Sequence, residues 1–156
     1  MSNSEIIEKK YTEAVQGIKE EWFLNSDSSW YDYIVELPRD LKVTYLVTIL
    51  HNEVFNGGFH QYFVNGYGQF AAQTIPVLIE IGALRKAELL KKALSLVNRD
   101  NATDIIFRKR LLNRSIRTLF DDDTLFDPLD QLDKEYYQCE EVEEVEVQLG
   151  RYLLNN

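Results

Sequence analysis

Arg39-Asp-Leu-Lys-Val-Thr-Tyr-Leu-Val-Thr-Ile-Leu-His-Asn-Glu-Val-Phe55, closed by Asn56-Gly57-Gly58, is the stretch on which the fold turns. Its β-branched residues (Val43, Thr44, Val47, Thr48, Ile49) favour a strand by propensity. Its length and the absence of strict alternation favour a buried helix instead. The glycines then end it, because they tolerate backbone angles that close a helix. Helix is the reading adopted, and the flanking segments agree with it.

Working outward, Ser4–Phe23 repeats Ile7, Tyr11, Ala14, Val15, Ile18 and Trp22 at helical steps, with Ser4 as its cap. Trp30–Leu37 reads as a short helix stopped by Pro38. Phe59–Val64 is a short segment ending at Asn65-Gly66, and Gln69–Ile81 a helix with Pro76 in its first turn or at a kink. Leu84–Val97 is amphipathic, with Leu84, Ala87, Leu90, Leu94 and Val97 inward and Arg85, Lys86, Lys91 and Lys92 outward. Thr103 caps a helix to Phe120 with Ile106, Leu112, Ile116 and Leu119 inward. Asp127 caps a short one with Pro128 in first position. In Cys139–Leu154 the residues Val142, Val145, Leu149, Tyr152 and Leu153 share one wedge, and Glu140, Glu141, Glu143, Glu144 and Glu146 cover the rest. The expectation is an all-α fold: one compact helical domain over 1–156, of about seven or eight helices, without linkers or repeats.

Composition bounds the function. With 45% apolar residues in 156, the chain affords a real core and is not a disordered one. No apolar run reaches the roughly 18 residues of a membrane span, so no membrane role is expected. The start mixes charges, unlike a signal peptide. The lone Cys139 makes no internal disulfide and suits a reducing cytoplasm. The net charge of −9 is unevenly spread: residues 84–118 carry ten basic and three acidic groups, residues 119–156 two basic and twelve acidic. An acidic protein repels nucleic acid, so direct DNA or RNA binding is not expected, whereas a basic partner is permitted.

Motifs for chemistry are sparse. His51 and His60 lie nine residues apart, not at the i, i+4 spacing of a helical metal site, so no metal is expected. No phosphate-binding glycine loop, dinucleotide fingerprint or nucleophile elbow occurs, so no cofactor and no catalytic residue is assigned and an enzyme is disfavoured. Glutamates beside Cys139 raise its thiol pKa rather than activate it. One stretch is unusual: Glu53, Asn56, Gln61 and Asn65 stand among Val54, Phe55, Phe59, Tyr62, Phe63 and Val64, around Gly57-Gly58. The glycines let the chain reverse, with Glu53 accepting amide hydrogens of the next short helix. The alternative is a ligand pocket at the glycine turn, with Glu53, His60, Gln61 and Asn65 binding a small molecule or acting on it.

Glu53-x-x-Asn56-Gly57-Gly58-Phe59-x-Gln61-Tyr62-Phe63-x-Asn65 resembles the signature of a bacterial family of uncharacterised domains that includes an acidic DNA-mimic protein. Leu37-Pro38, Ile81-Gly82-Ala83 and Leu132-Asp133-Lys134-Glu135-Tyr136-Tyr137 extend the likeness over roughly residues 30–156. The resemblance implies an all-helical fold. One member imitates DNA with surface carboxylates and binds a transcription factor, but that property does not reside in the motif. Here the acids open to such a role are Asp121, Asp122, Asp123, Asp127, Asp130, Asp133, Glu135, Glu140, Glu141, Glu143, Glu144 and Glu146, all but Glu135 forming the partner-binding set. Carboxylates at i and i+4 rise about 6 Å along a helix, against about 3.4 Å per phosphate step, so rough imitation is feasible. The expected partner is a basic protein such as a DNA-binding protein. A homodimer and an immunity- or antitoxin-like inhibitor are further readings. All rest on these acids staying clear of the cations just upstream.

Overall fold

α3 (Arg39–Val64) runs through the centre and is apolar on nearly every side, burying Val43, Tyr45, Leu46, Val47, Ile49, Leu50 and Val54. The β-branched residues among these cost about 0.5 kcal/mol each in helix propensity. Burying each returns about 1.5–3 kcal/mol, so packing overrides the strand preference. Thr44 satisfies its hydroxyl by donating 2.7 Å back to the Asp40 carbonyl. The computed structural model describes residues 1–156, and its chain is helices and turns without a strand.

Around α3 stand α1 (Asn3–Val15), α2 (Ser29–Val35), α4 (Ala71–Glu80), α5 (Leu84–Val97), α6 (Asp104–Leu112), the single turn α7 (Arg117–Phe120), α8 (Phe126–Cys139) and α9 (Val145–Leu154). Short 3-10 turns at Glu20–Phe23 and Tyr67–Phe70 connect them. α3 touches α1, α2, α4, α7, α8 and α9; α1 also packs on α9, and α5 on both α4 and α8. One contiguous cluster of 36 buried apolar residues fills the space between them, so the fold is all-α with one core. No helix is long and apolar enough to cross a membrane.

Several element readings need correction. α1 is capped by Ser2 in a capping box with Glu5, not by Ser4, and it stops at Val15. Tyr33 holds that end, donating to the Ala14 carbonyl (2.6 Å) and accepting from the Gly17 amide (3.2 Å). α4 begins at Ala71, so Pro76 lies inside the helix rather than in its first turn. α5 has the expected limits, but Leu84 is exposed and Lys86 fully buried. The helix from Thr103 stops at Leu112, and Ile106 is exposed. It ends in paired bonds, Arg114 N–H to Leu111 O (3.1 Å) and Ser115 N–H to Arg110 O (3.0 Å), with Arg114 left-handed at φ 56° where glycine is usual. α8 starts at Phe126, so Asp127 lies in its first turn and is not its cap. The final segment is not one helix: residues 140–144 form a connector, and Val142, expected inward, is 87% exposed.

Candidate functional site

The glycine motif is a sharp bend within α3, with Gly57 at φ −153° and Gly58 at φ 79°. Along a straight helix Glu53 and Asn65 would lie about 18 Å apart. Here Asn65 donates to Glu53 Oε1 at 3.0 Å, so the second limb, residues 59–64, folds back beside the first. Gln61 donates to Glu53 Oε2 (3.0 Å) and Asn56 to Gln61 Oε1 (3.3 Å), which closes a network of carboxylate and amides. Phe59, Tyr62 and Phe63 of the motif are fully buried in the core. The carboxylate that caps the second limb is not Glu53, as expected, but Asp133 of α8, which accepts the Phe59 amide at 2.7 Å. A Cβ on Gly58 would sit 2.2 Å from Asp133 Oδ2, so glycine is needed for the approach as well as for its φ. His60 bonds the Leu119 carbonyl (3.3 Å) and lies tilted against the Phe126 ring, 4.5 Å between centroids. Glu53, His60 and Gln61 line none of the principal cavities, while Asn65 touches the rim of one.

The acids divide into two groups. Asp133 is buried, and burial pushes its carboxyl above the ordinary range while the Phe59 hydrogen bond opposes this. It belongs to the interior rather than to a partner-binding face. Glu135 pairs with Arg85 at 2.6 Å. Glu143 accepts the Arg85 and Lys86 amides (2.9 and 3.0 Å), capping α5. Glu140 accepts the Val145 amide at the start of α9 (2.8 Å) and pairs with the ammonium of Lys86. That buried ammonium also donates to the Glu143 carbonyl (2.7 Å) and lies 4.9 Å from the Tyr136 ring centre. Glu140 and Glu143, counted as partner-binding, are thus engaged at the joint of α5, α8 and α9.

The remaining candidates, Asp121, Asp122, Asp123, Asp127, Asp130, Glu141, Glu144 and Glu146, are exposed. Among them only Asp130 forms an ion pair, with Lys134 at 3.4 Å. The upstream cations are drawn elsewhere: Arg108 to Asp104 and the Tyr31 face, Arg110 to Asp100, and Arg114 to the Phe120 face. The ion pairs that join the basic stretch to the acidic tail are confined to Arg85 and Lys86, with Arg117 acting on Asp122 only at longer range.

A family model for DMP19-like protein matches residues 35–156, which include the whole glycine motif and every one of these carboxylates. The chain belongs to the DMP19-like protein family. This is the family whose signature the motif resembles. No curated protein and no solved structure matches.

Tertiary packing brings this DMP19-like chain an acidic groove that its sequence does not announce. α1, α3 and the start of α9 enclose about 390 Å³, with Glu8, Glu144 and Glu146 at the edge, Glu140 and His51 deeper, and Ile7, Tyr11 and Val145 as apolar walls. Glu8 enters because α1 packs on α9, and Thr48 and Asn52 because α3 packs on both, contacts that local periodicity does not encode. Thr48 Oγ1 and His51 Nδ1 are buried there without hydrogen-bond partners. Burial lowers the His51 pKa, with Lys86 adding to the effect and Glu140 opposing it. Burial also raises the Cys139 thiol pKa; Glu143 and Glu135 reinforce this against Arg85 and Lys86. The thiolate is therefore disfavoured first by desolvation and only then by the glutamates.

Proposed function

We propose that this DMP19-like chain is a non-enzymatic interaction module whose free carboxylates take the place of a nucleic-acid backbone toward a basic, DNA-binding protein. The supporting observation is the charge left over after folding. Asp121, Asp122, Asp123 and Asp127 at the start of α8, and Glu141, Glu144 and Glu146 beyond its end, are exposed and make no ion pair. α8, with 14 residues, is about 21 Å long, so it separates the clusters at its two ends by a length comparable to about six phosphate steps. Exposed carboxylates attract a cationic face through high-dielectric solvent, so the attraction weakens with salt.

The test uses a DNA-binding protein captured on the immobilised chain at low ionic strength. Release by 0.5 M salt and by added duplex DNA is the expected result. Retention that ignores both, or no retention of any basic protein at low salt, overturns the reading.

A further inference from the structure

A second cavity is free of acidic side chains. The 3-10 turn at Glu20–Phe23, the end of α3 and the end of α6 enclose an open cavity of about 590 Å³, within the range of small-molecule sites. Its walls include Trp22, Phe23 and Trp30. Of its lining residues only one is ionisable, Arg114, and this in a chain of net charge −9. Arg114 has no carboxylate partner; its guanidinium lies over the Phe120 ring, 4.3 Å from the centroid. The Asn113 side-chain amide beside it also makes no hydrogen bond within the protein.

Arg114 is, moreover, at the left-handed position that ends α6, where glycine fits without strain. Strained residues at a cavity edge are a recognised mark of function. The aromatic walls supply an apolar body site, and the guanidinium a fork matched to a carboxylate. We infer that this cavity binds a compact aromatic carboxylate, with Arg114 holding the carboxylate, Trp22 and Phe23 flanking the ring, and the buried Trp30 forming the floor. The ligand is selected for its negative charge at a place where most of the molecule repels anions.

The chain's two tryptophans both line the cavity, so their emission reports its occupancy directly. The probe is 3-phenylpropionate, titrated at about 0.15 M salt, where the Debye length is about 8 Å and the repulsion of the acidic surface is screened. A saturable change in emission is expected with a half-point at or below about 1 mM, and at least about tenfold weaker binding of the neutral 3-phenylpropionamide. Arg114→Gly keeps the α6 ending, so its melting temperature does not fall below that of the parent, yet it loses the acid-over-amide preference. Arg114→Lys keeps that preference. N-acetylglycylphenylalanine, carrying the same carboxylate on a peptide, separates the two sources of this chemistry: tighter binding than phenylpropionate assigns the site to a chain terminus, and weaker binding to a free metabolite. Equal binding of acid and amide, an unaffected Arg114→Gly variant, or no saturable response up to about 10 mM overturns the inference.

Discussion

Replacing Asp133 by alanine leaves the buried Phe59 amide without an acceptor, at a cost of about 1.5–3 kcal/mol. Asparagine keeps an acceptor oxygen and removes a charge from a site that resists it. Because burial raises the Asp133 pKa, the folded chain holds that proton more tightly than the unfolded chain does. This group's contribution therefore falls as pH rises through the carboxylate range. The stability advantage of Asp133→Asn over the parent is expected to widen between pH 4 and pH 7 in urea unfolding; a narrowing gap contradicts the assignment. Gly58→Ala meets both a positive φ and the Asp133 carboxylate, and should lose more than about 2 kcal/mol in the same measurement. His51 has the opposite pH sign. Its folded pKa lies below the ordinary 6.5, so the unfolded chain protonates first as pH falls. Stability declines from about 6.5 downward and levels off below the folded value. His51→Asn should flatten the urea midpoint between pH 7 and 5.

At the joint of α5, α8 and α9, three helix ends share one set of charges. Glu143 caps α5, Glu140 caps α9, and the buried Lys86 binds the Glu140 carboxylate and the Glu143 carbonyl. Removing Glu140 strands an ammonium that has no access to water, so Glu140→Ala should cost about 3–5 kcal/mol. Lys86→Met leaves the carboxylate partly solvated and still bonded to the Val145 amide, so it should cost less. Thermal melts that rank Lys86→Met below Glu140→Ala in stability would show that burial of the charge is not the controlling term. The half-buried Lys10–Asp40 pair at the surface, 2.7 Å apart and joining α1 to α3, is worth about 1 kcal/mol by comparison.

For the whole molecule, the consequence of folding is an uneven charge distribution. Lys134, exposed and paired only with Asp130, interrupts the acidic face of α8. Its replacement by glutamine should leave stability within about 0.5 kcal/mol and strengthen retention of a basic partner at low salt. Neutralising Asp121, Asp122 and Asp123 to asparagine, or Glu141, Glu144 and Glu146 to glutamine, should each weaken that retention and make it less salt-dependent. Unchanged binding in both triple variants, checked against an unaltered circular dichroism spectrum, would remove the carboxylates from the interface.

Patterns that repeat within a few residues were readable before any folding was considered. Burial follows local periodicity closely enough that the helical state of Arg39–Phe55 and the limits Leu84–Val97 emerge from residue order, as does the Thr103 cap. The same is true of the family motif. Partners separated by long stretches of chain were not readable: Asp133 lies 74 residues from Phe59, and Lys86 lies 54 from Glu140. Hydrogen bonds and ion pairs form over about 3 Å, so only packing determines which carboxylate meets which donor. That selection turned an apparently uniform acidic tail into capping groups on one side and free surface charge on the other. It also placed two tryptophans and a strained arginine from distant segments around one cavity.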